Sequence, residues 1–212
     1  DMSINGGSFT IATGDDGLHA DNDLIINSGI IDINDCYEGL EGLTITVNDG
    51  TININASDDG INAAGGTDSS GFGGFGHDAF SADSDANIYI NGGTITINAD
   101  GDGIDSNGNL YVTGGIIYVS GPESSADGAL DYNGEATITG GTLIAAGASG
   151  MAENFGSDST QGSILVTFTT QSAGTTISLL DESGSMLLSW QSDKTYSSVV
   201  ISSPDIVVGN TY

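Results

Sequence analysis

Arginine is missing from this sequence and lysine occurs once, as Lys194, whereas Asp and Glu together number 29; the formal net charge is −28 over 212 residues. With nothing to neutralise phosphates, the chain is excluded from nucleic-acid binding, and anionic membrane surfaces are disfavoured for the same reason. Cysteine is as scarce: Cys36 is alone, which rules out an internal disulfide and reads as a small buried residue. Proline occurs twice. No run is long and apolar enough to span a bilayer. No leader segment is recognisable, because Asp1-Met2-Ser3-Ile4-Asn5-Gly6-Gly7 already has the pattern of the repeats that follow. The chain is therefore expected to be a mature protein or a trimmed piece of a longer one.

What is present is glycine, 34 residues of it, and alternating Ile and Val within a 37% hydrophobic composition. Acidity alone would suggest disorder, but the alternation argues that the acid is mounted on a packed scaffold. One phrase recurs six times: an apolar residue, Asn or Thr, a glycine-containing turn, then a second alternation. The copies begin at Ile4, Ile26, Val47, Ile90, Val112 and Ile138. The last turn residue is always glycine, at positions 7, 29, 50, 93, 115 and 141, so the steps are 22, 21, 43, 22 and 26. The step of 43 is two periods. A period of 21–22 suits one coil of a solenoid with three short strands.

The expected fold is all-β: a right-handed parallel β-helix over residues 1–160, closed by a C-terminal antiparallel β unit over 161–212. Inward positions then form apolar columns. One is Ile4, Ile26, Val47, Ile90, Val112 and Ile138; a second is Phe9, Ile31, Ile52, Ile95, Ile117 and Leu143. A third is Ile11, Ile33, Ile54, Ile97, Val119 and Ala145. A fourth is Leu18, Leu40, Ile61, Ile104, Leu130 and Ala152. A Gly-rich insertion at 67–87 is expected to project from the third corner. The C-terminal unit is expected to cover strand edges that would otherwise recruit other chains. Terminal sequences that resemble interrupted repeats keep open an end-to-end homo-oligomer or filament.

A second phrase precedes the fourth column: Asp15-Asp16-Gly17-Leu18-His19, Tyr37-Glu38-Gly39-Leu40-Glu41, Asp58-Asp59-Gly60-Ile61-Asn62 and Gly101-Asp102-Gly103-Ile104-Asp105, with a drifted copy at Asp127-Gly128-Ala129-Leu130-Asp131. Asp16, Glu38, Asp59 and Asp102 should stack in one column. His19, Glu41, Asn62, Asp105, Asp131 and Glu153 should stack in another, facing out. Coils ~4.8 Å apart would set like charges against each other at about 3.5 kcal/mol per pair near a protein surface. Neutral Asn or Ser would turn these corners as well without that repulsion. A shared cation is thus expected, and Ca²⁺, which takes six to eight oxygens in irregular geometry, fits best. The candidate ligands are Asp15, Asp16, Glu38, Glu41, Asp58, Asp59, Asp100, Asp102, Asp105, Asp127 and Asp131. His19 reads as an outward polar residue.

Ile90-Asn91-Gly92-Gly93-Thr94-Ile95-Thr96-Ile97-Asn98, Cys36-Tyr37-Glu38-Gly39-Leu40-Glu41 and Ser57-Asp58-Asp59-Gly60-Ile61-Asn62-Ala63-Ala64-Gly65-Gly66 resemble the carbohydrate-binding β-helix family of secreted bacterial proteins. The resemblance extends to Tyr196-Ser197-Ser198-Val199-Val200-Ile201-Ser202-Ser203-Pro204. It implies a pectate-lyase-like shape, bound calcium, a plant cell-wall type of polysaccharide partner such as cellulose or acidic pectin, and an extracellular or cell-surface location.

A non-catalytic binder is the expected function. Aromatic faces for sugar stacking would come from Tyr37, Tyr89, Tyr111 and Tyr118, and from Phe72 and Phe75 in the insertion with His77 beside them. A lyase needs a base, usually Lys or Arg, and Lys194 is expected to lie away from the acidic columns. A pectin-active inverting hydrolase would need two carboxyls roughly 6.5–9.5 Å apart. Asp58, Asp59, Asp78 and His77 could contribute, but a cationic clamp for a uronate is missing. A self-assembling surface or filament protein is the remaining alternative.

Overall fold

A computed structural model describes residues 1–64 and 85–212. Among the described residues there is no helix, hence none long and apolar enough to cross a membrane. The described residues form seventeen strands: β1 Met2–Ala12, β2 Leu18–Cys36, β3 Leu40–Val47, β4 Thr51–Ala56, β5 Ile61–Ala63, β6 Asn87–Ile90, β7 Thr94–Ala99, β8 Ile104–Ser106, β9 Asn109–Val112, β10 Ile116–Ser120, β11 Asp131–Tyr132, β12 Ala136–Ile138, β13 Thr142–Gly147, β14 Ser163–Gln171, β15 Thr176–Leu180, β16 Met186–Gln191 and β17 Tyr196–Ser202. The fold is a β-solenoid of about six turns with parallel strands and antiparallel pairing at its C-terminal end.

Three stacks form its sides. The first joins the start of β1, the middle of β2, the end of β3, β6, β9 and β12; its register is Ile4, Ile26, Val47, Ile90, Val112, Ile138. The second joins the ends of β1 and β2 to β4, β7, β10 and β13, with Phe9, Ile31, Ile52, Ile95, Ile117 and Leu143 in line. The third aligns Leu18, Leu40, Ile61 and Ile104, and Leu130 follows because Asp105 pairs with Asp131. The expected apolar columns form the core through most of their length: Ile26, Ile31, Leu40, Ile52, Ile61, Ile90, Ile95 and Ile104 are wholly buried. Two expected members depart from it: Phe9, in the first coil with no coil below to cover it, is 37% exposed, and Ala152 lies beyond the last strand of the third stack, half-buried. Burying one such side chain contributes about 1.5–3 kcal/mol. No coil could achieve this alone, since each apolar face is covered only by the coils on either side. The step of 43, expected to be two periods, is a single coil lengthened between β5 and β6, because Val47 pairs directly with Ile90, Ile52 with Ile95 and Ile61 with Ile104. Ala86 is buried and Asn87 opens β6, so the last two positions of the expected 67–87 insertion belong to the solenoid coil.

The corner between the first and second stacks explains the invariant glycine of the repeat. Gly7, Gly29, Gly50, Gly93, Gly115 and Gly141 all have positive φ, from +86° to +129°, where only glycine is unstrained. Stacking adds a second reason. A Cβ on Gly93 would lie 2.9 Å from the Gly50 carbonyl oxygen of the coil below.

The C-terminal strands do more than sit over the end. β17 pairs antiparallel with β13 (Leu143 with Ser202, Ala145 with Val200), and β14 pairs with β17, so the second stack continues into them. β15 and β16 form a separate hairpin. A second apolar cluster joins Ile144 and Ala146 of β13 to Ile177, Leu179, Tyr196, Val199 and Ile201. Gly93→Ala should therefore destabilise the protein by about 1–3 kcal/mol through backbone strain. A lowered urea midpoint with an unchanged slope would report it.

Candidate functional site: an acidic trench on the third stack

The trench begins with backbone pairing. Gly17, Gly39 and Gly60 donate their N–H to the carbonyls of Glu38, Asp59 and Asp102, each one coil further on. This holds the residue before each glycine over its equivalent. Asp16, Glu38, Asp59 and Asp102 therefore line one wall, as expected. The glycines are needed because a side chain there would enter the core: a Cβ on Gly60 would lie 2.3 Å from Ile97.

The second wall holds His19, Glu41, Asn62, Asp105 and Asp131, in register. It was expected to face out into solvent. The structure corrects this: Asn62 and Asp105 are buried, and His19, Glu41 and Asp131 are half-buried. The two walls face each other, so each shields the other from water. Glu38 is 2% exposed and Asp59 3%.

Two groups of ligand atoms converge within 4.8 Å. The first comprises Asp16, His19 and Glu41. His19 Nδ1 bonds Glu41 Oε2 and lies 3.5 Å from Asp16 Oδ2, while Nε2 is 3.2 Å from Asp21 Oδ1. Burial opposes charge on this imidazole. The hydrogen bonds to Glu41 and Asp21, with the fields of Glu41 and Asp16, outweigh that and raise its pKa. Burial, then the hydrogen bond and field of Asp16, push Glu41 up to about 7 against the opposing pull of His19. His19 is thus part of the cluster and not a bystander. Its place in the acidic register was the available signal.

The second group comprises Asp59, Asp102 and Asp105, with oxygen ligands only. Asp59 Oδ1 accepts the Asp102 backbone N–H at 2.6 Å, and Asp102 Oδ1 accepts that of Gly128. Even so, burial, followed by the fields of Asp102, Asp105, Asp58 and Glu38, holds the Asp59 pKa well above the usual carboxyl range. Asp102 is pushed up to about 7, first by burial and then by Asp131, Asp127 and Asp58, with the Gly128 hydrogen bond opposing. Gly101 makes room here: a Cβ on it would lie 2.4 Å from Asp59 Oδ1 and 2.5 Å from Asp58 Oδ1.

Other candidates fall around these groups. Glu38 accepts a hydrogen bond from Asn62 Nδ2 at 3.0 Å. Asp58 bonds Tyr37, which engages that ring's hydroxyl, and feels Asp127. Asp15 is exposed, outside both groups. Asp100 is 69% exposed and pairs with Lys194, whose ammonium also donates to the Ala99 carbonyl. Lys194 was expected to lie away from the acidic columns; the loop after β16 brings it to Ala99 and Asp100, at the corner that leads into Asp102 but outside both columns. Tyr118 is taken up in packing, stacked on Trp190 at 5.6 Å. Tyr89 and Tyr111 stack on each other at 5.2 Å on the first stack. Phe72, Phe75, His77 and Asp78 lie outside the described residues.

Three oxygens in the trench region are buried without a hydrogen-bond partner among the described residues: Asp16 Oδ1, Asn62 Oδ1 and Glu153 Oε2. Asn62 was placed in the column by its register but was not among the candidate ligands.

A family model described as "Carbohydrate-binding domain-containing protein" matches residues 1–76. That segment holds β1 to β5 and with them Asp16, His19, Glu38, Glu41, Asp59 and Asn62. The match supports carbohydrate binding as the class of function. No curated protein and no solved structure matches significantly.

The raised pKa values fix a pH dependence. Glu41 and Asp102 bind a proton more tightly folded than unfolded, and so does His19. Protonation of the two carboxyls therefore favours the fold fully below the ordinary carboxyl range, and this stabilisation is lost as pH rises through about 7. Metal-free protein should melt several degrees higher at pH 5 than at pH 8; equal melting temperatures in chelator would contradict the trench electrostatics.

Proposed function

We propose that this protein is a non-catalytic, extracellular or cell-surface polysaccharide-binding protein that holds calcium between coils of the third stack. The observation that carries the calcium is the group formed by Asp59, Asp102 and Asp105. Three carboxyls with oxygens within 4.8 Å, two of them buried, cannot all be charged without a cation. The partnerless Asn62 Oδ1, on the residue paired with Asp105, offers a further neutral oxygen of the kind a hard cation takes, while the partnerless Asp16 Oδ1 belongs to the other group. Such residues fit calcium better than a softer metal, which would favour thiolate or imidazole. The group with His19 is less selective, since a protonated imidazole can itself balance Asp16 and Glu41.

The family match supports the glycan partner. Calcium bound in the trench would cancel charge that otherwise repels acidic polymers, and would keep coordination positions for sugar hydroxyls or uronate carboxylates. Cellulose-like or acidic pectic chains are the proposed ligands. A binding role also accords with Lys194 being engaged by Ala99 and Asp100, which leaves β-elimination without an amine base.

At a hundredfold excess over Kd, calcium should stabilise the fold by about 2.7 kcal/mol, a rise of several degrees in Tm. Asp59→Asn/Asp102→Asn should abolish that rise. Depletion by insoluble pectin and cellulose, with calcium and with chelator, tests the glycan. An unchanged Tm in chelator would remove the metal, and no depletion by any polysaccharide would remove the binding role.

A further inference from the structure

We infer that the outward face of the first stack, centred on Tyr89 and Tyr111, binds an uncharged polysaccharide chain without calcium. This rests on the glycan-binding role proposed above but places an independent surface on a different side of the solenoid from the trench. Tyr89 and Tyr111 are in register on β6 and β9, half-exposed, with ring planes 16° apart. Their neighbours along the column are Thr46 and Thr137. Threonine is too short to cover a phenol ring, so the outer faces of the pair stay open for sugar C–H groups.

Amide rows flank the rings on both sides. Asn109 Nδ2 donates to Asn87 Oδ1 at 2.9 Å on one side. On the other, Thr113 Oγ1 donates to Asn91 Oδ1 at 2.8 Å, and Asn91 Nδ2 to Asn48 Oδ1 at 2.9 Å. This row continues down through Asn27 to Asn5, within the segment matched by the carbohydrate-binding model. Asn27, Asn48, Asn91 and Asn109 each spend one N–H on the amide of the coil before and keep a second for a ligand. The bonds between rungs hold the amides in one geometry before any ligand arrives, which lowers the ordering cost of binding. Donors and acceptors repeated at every coil suit a polymer with hydroxyls on every unit.

Beyond Thr137 the face opens into a hollow of about 330 Å³, lined by Tyr132, Gly134, Glu135, Thr137, Ser157 and Asp158. Its two carboxylates can accept from sugar hydroxyls and would repel a uronate. The only Lys or Arg of the sequence, Lys194, is engaged at Asp100, and His19 lies in the trench. An acidic polymer therefore finds no counter-charge on the described part of this face, whereas an uncharged β-glucan needs none.

Affinity electrophoresis in hydroxyethylcellulose and in polygalacturonate, each with calcium and with chelator, tests the assignment. Wild-type protein should be retarded by hydroxyethylcellulose equally in both conditions. Tyr89→Ala/Tyr111→Ala should weaken that retardation at least tenfold while leaving calcium-dependent retardation by polygalacturonate unchanged. Tyr89→Phe/Tyr111→Phe keeps the rings and should stay within about threefold of wild type, as expected for ring stacking. Thr137→Arg covers the outer face of Tyr111 from an outward position without touching the core, and should weaken binding similarly should the double alanine variant not fold. Wild-type retardation of either blocking variant would overturn the assignment, as would loss of hydroxyethylcellulose binding in chelator by protein that stays folded. Wild-type protein that binds only polygalacturonate, and only with calcium, would overturn this surface yet leave the proposed function standing; protein that binds neither polymer would overturn both.

Discussion

Parallel backbone pairing sets each residue over its counterpart in the next coil, about 4.8 Å away, even where extra residues lengthen a coil. Every property of a side chain is thereby multiplied along a column, whether favourable or not. Isoleucine over isoleucine gives a continuous core. Asparagine over asparagine gives a row of amide hydrogen bonds, because each amide carries both a donor and an acceptor. Aspartate over aspartate gives repulsion, and the third stack has to accommodate it.

It does so by different means along its length. Near the N-terminal end His19 inserts an imidazole between Asp16 and Glu41. In the middle Asn62 replaces an acid and donates to Glu38. Further along, Asp59 and Asp102 each lean onto a backbone N–H of the following coil, and Gly101 leaves space where another side chain would collide with two carboxyls. These devices reduce the repulsion without removing it, as the raised pKa values of Asp59 and Asp102 show. The residual charge is what makes a metal at this place physically reasonable. Lys194, beside the same corner, is used to fasten the C-terminal strands to Asp100 and not to neutralise the trench.

Much of this was legible from spacing. The six glycines with positive φ, most of the apolar columns and the acidic register were visible because each coil repeats the same two phrases, which stay aligned even where a coil is lengthened. What spacing could not give was depth. Asp105 and Asn62 alternate with inward Ile104 and Ile61, so they read as outward and solvated; the opposing wall that buries them belongs to residues three positions earlier, and the curvature that brings the walls together has no sequence signature. The Lys194–Asp100 pair and the Tyr118–Trp190 stack were equally hidden, because each joins parts of the chain more than seventy positions apart outside the repeat. The asparagine row was visible in the repeat as an Asn or Thr, but its meaning lies in the bonds between coils.

That row also has a sense of direction. Asn27 donates to Asn5, Asn48 to Asn27, Asn91 to Asn48, and Thr113 to Asn91. All the bonds run the same way, so the amide dipoles add as peptide dipoles do in a helix. The stripe ends in unspent N–H groups at Asn5 and begins from a hydroxyl at Thr113, giving one side of the solenoid an electrical head and tail. A linear polymer with chemically distinct ends, laid along such a stripe, would meet two unequal orientations.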